Sequence, residues 1–151
     1  MNLKIWDPGD EPAADPVTHY NRGLAYKDAG ENNKAVAAFT KAIKLDPAFT
    51  EAYLNRGDTY DERGEHDQAI ADYTMAIELD PAGLTAYCCR GTAHKSRGKN
   101  AKAIADFKEA IELDPTNADA YKNRGFCYEE LGGTEKAAAD FAKAEELRSD
   151  H

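Results

Sequence analysis

The 151-residue sequence is short of several things that would point to particular chemistries. It has three cysteines, Cys88, Cys89 and Cys127. An odd count with two neighbours and no Cys-x-x-Cys excludes a disulfide framework. There are two serines, Ser96 and Ser149, and no Gly-x-Ser-x-Gly, His-Glu-x-x-His or phosphate-binding Gly-x-x-x-x-Gly-Lys run. The four histidines lie far apart in sequence, and with Cys88 and Cys89 on one helix, His94 would complete a poor metal set. The expectation is therefore no enzyme, no metal and no cofactor. No stretch approaches 18 apolar residues, so membrane insertion is not expected. The start, MNLKIWDPGDEP, lacks the apolar run of a secretion signal. The chain reads as cytoplasmic, although a leader removed beforehand would leave the same sequence. Positive charge is also in deficit, with a net charge of −9. That disfavours nucleic acid and anionic lipid, whose phosphates would be repelled.

What the sequence has is a period. AIKLDP at 42–47 is followed by AIELDP at 76–81 and again at 110–115, each 34 residues after the last. Aligned on these copies, the chain divides into units 16–49, 50–83, 84–117 and 118–151, preceded by residues 1–15. Unit position 8 is Gly23, Gly57, Gly91 and Gly125; position 15 is Gly30, Gly64, Gly98 and Gly132. Position 24 is Phe39, Tyr73, Phe107 and Phe141, and positions 20 and 27 are Ala throughout. A glycine inside a helix costs about 1 kcal/mol against alanine, so its recurrence at position 8 calls for close packing. The ring at position 24 is expected to fill the gap beside it. Gly at position 15 suits a helix stop with a left-handed residue. Asn32, Asn100 and Thr134 are expected to cap the following helices. The Asp-Pro at positions 31 and 32 should end them, because the residue before proline avoids helical angles. Each unit thus reads as helix, turn, helix, turn. A single pair cannot cover its own apolar face, and stacking supplies the missing neighbour.

This pattern resembles the tetratricopeptide repeat (TPR) family. Its signature adds an aromatic at position 4 (Tyr53, Tyr87 and Tyr121 here, with His19 departing) and Tyr at position 11 (Tyr26, Tyr60 and Tyr128, with His94 departing). The resemblance covers residues 16–151 and implies an all-α superhelix of four antiparallel helix pairs, its first helices lining a concave groove. One departure is systematic. The family's large aliphatic at position 7 is replaced by Arg22, Arg56, Arg90 and Arg124, three of them in Asn-Arg-Gly. A half-buried guanidinium needs a partner, and Asp72, Asp106 and Asp140 recur at position 23. Pairs Arg56–Asp72, Arg90–Asp106 and Arg124–Asp140 follow; Arg22 faces Ala38 and should point elsewhere.

By the family's geometry the groove is lined from unit one by Tyr20, Asn21, Leu24 and Lys27, and from unit two by Leu54, Asn55, Asp58 and Asp61. Unit three supplies Cys88, Thr92 and Lys95, and unit four Lys122, Asn123 and Phe126. The resemblance therefore implies a non-enzymatic scaffold that holds a peptide or helix of a partner protein. Asp58 and Asp61 suggest a basic residue in that partner, and Leu24, Leu54 and Phe126 an apolar one. Relatives that clamp the C-terminal carboxylate of heat-shock chaperones need a set of Lys, Asn and Arg of which only Asn55 is present, so that activity is not expected. RNA-reading pentatricopeptide repeats share the period but would need a basic groove.

Positions 21 and 28, large and apolar in the first three units, become Ala138 and Glu145 in the fourth. That suits a polar end to the stack. Phe141 and Leu147 still leave room for end-to-end self-association, in its simplest form a homodimer. Residues 1–15 are rich in Pro and acid and are expected to be extended or disordered, unless Leu3, Ile5 and Trp6 dock on the array. Self-assembly through the end faces or this tail is the alternative function.

Overall fold

Four glycines set the fold's rhythm. Gly30, Gly64, Gly98 and Gly132 have φ of 74°, 76°, 70° and 80°, the left-handed region that other residues avoid. In the first turn the Gly30 N–H bonds the Lys27 carbonyl (3.0 Å) and the Glu31 N–H bonds the Tyr26 carbonyl (2.8 Å). The same two bonds recur in the other three turns, closing each first helix with its last carbonyls satisfied.

The computed structural model describes residues 15–150; the expectations for the N-terminal tail lie outside the described residues. The helices are α1 (Pro16–Asp28), α2 (Asn32–Leu45), α3 (Thr50–Glu62), α4 (His66–Leu79), α5 (Leu84–Ser96), α6 (Asn100–Leu113), α7 (Ala118–Glu130) and α8 (Thr134–Ser149). No strand occurs among the described residues. Each of α2, α4 and α6 ends at the leucine before Asp-Pro. The Asp46 carboxylate then accepts from the Ala48 N–H (3.0 Å), and Asp80 and Asp114 repeat this turn. The repeated hexapeptide is thus a helix end plus its exit. Unit four lacks the proline, and α8 runs on to Ser149.

The capping expectation needs correction. Asn32, Asn100 and Thr134 are the first residues of their helices rather than caps. The caps are Glu31, Lys99 and Gly133, none with a side-chain bond. The reason is the tightness of the turn: the residue after the left-handed glycine both closes the first helix and opens the second. Side-chain caps occur elsewhere, from Asp15 on α1 and Asn117 on α7.

Packing inside each pair follows the glycine at position 8. A Cβ on Gly23 would lie 2.5 Å from the Phe39 ring, and one on Gly57 would lie 2.8 Å from the Tyr73 ring. Phe39, Tyr73 and Phe107 are buried between the recurring alanines. Between pairs, Ile43 and Ile77 pack on Tyr53, Ala76 and Ala86, while Ile70 packs on Tyr73 and Ala93. The Tyr53 hydroxyl reaches back to the Pro47 carbonyl of unit one (3.1 Å). Helices neighbour one another in chain order, α1 on α2, α2 on α3 and so on to α8. In addition the backbones of α1 and α3, of α3 and α5, and of α5 and α7 approach one another, whereas those of successive second helices stay further apart. First helices therefore crowd together on one side, and the stack curves towards them.

Candidate functional site

The position-7 arginines hold the frame. Arg56 donates from Nε to Asp72 Oδ2 (2.8 Å) and from Nη2 to Oδ1 (2.7 Å), a two-pronged pair, while its Nη1 reaches Thr40 Oγ1 of unit one (3.1 Å). Arg90 repeats this with Asp106 and with Thr74 of unit two. Arg124 pairs with Asp140 in the same way. Asp72, Asp106 and Asp140 are buried, so each carboxylate has traded water for a guanidinium fork. These bonds hold the arginines' protons more tightly than usual, against the opposing effect of burial. Arg56 also lies over Tyr53 and Tyr60, and Arg124 over Tyr121 and Tyr128. Arg22, exposed beside Ala38, shares a shallow cleft with His19, Tyr26, Lys34 and Lys41. Thr40 and Thr74 were not singled out from sequence; their recurrence one residue after the buried ring was the available signal.

The wall of first helices carries the residues expected to line a groove. None of them is buried, and Asn21, Thr92 and Phe126 are exposed. Several meet across units. The Asn55 amide donates to Tyr20 Oη (3.0 Å) and to the Glu51 carbonyl (2.9 Å), so both its hydrogens are already used. Lys27 approaches Asp58 (3.6 Å). Asp58 also accepts from Tyr73 Oη (2.7 Å), and Asp61 lies against His66 Nδ1 (2.5 Å). The two acids of unit two are therefore partly satisfied from within. The sequence held a cue to Tyr73, though not to its partner: only unit two carries a hydroxyl on its buried ring.

At the other end of the wall, Lys95 Nζ donates to Asn123 Oδ1 (3.2 Å) and lies 4.9 Å from the Phe126 ring centre. Lys122 approaches the same ring at 5.9 Å. Phe126 is 38 % exposed and meets Phe141 edge-on, with ring centres 5.1 Å apart. Leu24 and Leu54 are half-buried, Leu54 packing into the inter-unit core. Thr92 turns its hydroxyl back to the Cys88 carbonyl.

Burial raises the pKa of all three thiols, and Cys89, also facing Asp58, is pushed up to about 12. Nothing around them stabilises a thiolate strongly enough to offset that burial. Among the described residues no group of His, Cys, Asp and Glu converges on a metal position, and no helix is long and apolar enough to cross a membrane. His94, the stand-in for Tyr at position 11, is buried, with Nε2 3.9 Å from Asp106 Oδ2 and Nδ1 without a hydrogen-bond partner among the described residues. Arg97, in the turn between α5 and α6, meets Asp67 of α4 (3.1 Å).

A succession of stacked helix pairs with these glycines, rings and exit turns defines a helical repeat scaffold. Tetratricopeptide repeat profiles match residues 20–83 and 118–151, and a TPR repeat profile matches 91–132. The chain belongs to the tetratricopeptide repeat family. Among solved structures it is similar to MamA (30% identity, 89% of this chain and 79% of that one, TM-score 0.87). It is also similar to the TPR domain of Arabidopsis OM64 (32% identity, 78% and 97%, TM-score 0.73). The first TPR of Spaghetti (RPAP3), solved with the HSP90 peptide SRMEEVD, shares the fold at 24% identity (78% and 94%, TM-score 0.76). The comparison with curated proteins returns no match.

Proposed function

We propose that the chain is a non-enzymatic, cytoplasmic interaction scaffold whose wall of first helices holds an extended peptide or a helix of a partner protein. One observation carries this reading. The frame positions repeat from unit to unit, whereas wall positions 5 and 9 differ in every unit: position 5 is Tyr20, Leu54, Cys88 and Lys122, and position 9 is Leu24, Asp58, Thr92 and Phe126. Stacking needs the first set to be uniform; a wall used only for stacking would have no need of such variety. The partner segment is expected to carry a basic residue for Asp58 and Asp61 and an apolar one for Phe126. The chaperone carboxylate clamp is not part of this function, because Tyr20, Leu24, Thr85 and Cys89 stand where its cations and amide would be needed.

The test is affinity capture from native lysate with the wild type, Asp58→Lys/Asp61→Lys and the milder Asp58→Asn/Asp61→Asn, with Glu109→Lys on α6 as a control. Partners retained by the control and lost from the wall variants, at matched thermal unfolding, support the reading. Identical partners on all four proteins would refute it. A second reading, self-assembly, has one observation in its favour: Phe141 and Leu147 remain half-exposed on α8. It predicts a concentration-dependent sedimentation coefficient that Leu147→Glu abolishes.

A further inference from the structure

We infer that the C-terminal half of the wall is an anionic-side-chain subsite, in which Lys95 and Lys122, on either side of Phe126, grip an Asp or Glu of the partner next to an apolar residue. This rests on the reading of the wall as a peptide groove and gives that groove a direction.

Pairing of the wall's cations is the starting point. Lys27 is answered by Asp58 (3.6 Å) and Glu62 (4.0 Å), and Arg148, at the edge, by Asp119 (3.1 Å). Lys95 and Lys122 have no carboxylate within 4.0 Å among the described residues, although both are half-buried. Each lies instead against one aromatic ring, at 4.9 and 5.9 Å. A cation over a phenyl ring at an exposed site gains less than a good charged hydrogen bond contributes. The ring thus holds the ammonium groups in place without satisfying them. An ammonium carries three donors, and Lys95 spends one on Asn123.

Phe126 is also the shared edge of two shallow clefts. One, of about 330 Å³, runs past Lys122, Phe141, Ala144 and Arg148. The other, of about 350 Å³, runs past Lys95, Gly98 and Asn100. Glu129 and Glu145 border the first and Glu130 the second, so a ligand must put its negative charge between the two lysines and not deeper in either cleft. An apolar side chain beside that carboxylate would cover the exposed part of Phe126. Unit two, by contrast, holds two bases against nine acids. A segment with a basic residue over Asp58 and Asp61 and an acid beside an apolar residue over Phe126 complements the wall in one direction; reversed, it sets like charges against each other at both ends.

The probe is a library of random dodecapeptides displayed on phage and selected on the full chain. In the wild type, enriched peptides should carry Asp or Glu beside a large apolar residue, with Lys or Arg towards the other end. Lys95→Gln/Lys122→Gln should lose the acidic preference while still enriching apolar peptides, and Lys95→Glu/Lys122→Glu should replace it with a basic one. For one enriched peptide, Glu→Gln should weaken binding about tenfold on the wild type and hardly at all on the Gln variant. Amidating its C-terminus should change nothing. Enriched peptides without an acid, an equal loss on both proteins, or loss on amidation would each overturn the subsite and leave the groove standing. If the wild type enriches no peptide, the groove reading itself falls, and this inference with it.

Discussion

At the scale of single residues, the Arg–Asp pair is the feature most worth disturbing. Asp106 is 4 % exposed and accepts two hydrogen bonds from Arg90. Replacing it with alanine strands a half-buried guanidinium and frees Thr74 from its cross-unit bond. The expected loss is about 3 kcal/mol in urea unfolding, near the lower end for a broken buried pair because Arg90 retains some water. Arg90→Met/Asp106→Leu, which removes both charges, should cost less than Asp106→Ala alone. If the single and double variants lose the same stability, the pair does not hold the stack in this way.

His94 allows a prediction with a sign. Burial is the largest influence on its ring and lowers its pKa from the ordinary 6.5; Asp106 opposes this, while Arg90, Lys102 and Lys99 add to it. The unfolded chain therefore binds a proton at His94 before the folded one does. Its contribution to stability is complete above about pH 6.5 and is lost as pH falls through the lower folded value. The thermal midpoint of the wild type should fall between pH 6.5 and 5 more steeply than that of His94→Tyr, which restores the family's ring. Parallel curves would show that the proton is taken up equally in both states.

At the scale of helices, the turns separate two kinds of start. Asn117 caps α7 through the Ala120 N–H (3.1 Å), whereas Asn32 opens α2 from inside with no side-chain cap bond on that helix. Asn117→Ala should cost about 1 kcal/mol and Asn32→Ala a few tenths at most, read from urea midpoints at constant slope. This is also where the sequence was less legible. Asn and Thr after a glycine look like caps in any helix. Only the geometry of the turn, in which Glu31 closes one helix and opens the next, shows that the cap position has already been taken. The Gly–ring contacts, the left-handed glycines and the three Arg–Asp pairs could be read because they lie within one unit, at fixed spacing. Thr40 on Arg56 and Tyr73 on Asp58 could not, because one crosses between units and the other depends on which way a ring's edge faces.

Seen whole, the molecule divides its labour between a uniform frame and a varied wall. Fold class was legible because the period multiplies every weak signal by four. The candidate site was legible only as a set of positions. Their expected character changed once partners were visible: Asp58, Asp61 and Asn55 are already engaged, and the wall cations with no carboxylate near them among the described residues are Lys95 and Lys122. Under the proposed groove reading, that shift moves the sharper part of the site from unit two to the junction of units three and four.

Each helix pair covers its apolar face with the next, so the inner pairs have two covered faces and the outer pairs one. Native-state hydrogen exchange, resolved by helix, tests this most directly. Amides of α3 to α6 should exchange slowest, with α1, α2, α7 and α8 opening at lower free energy. Outer helices protected as well as or better than α3 to α6 would contradict it.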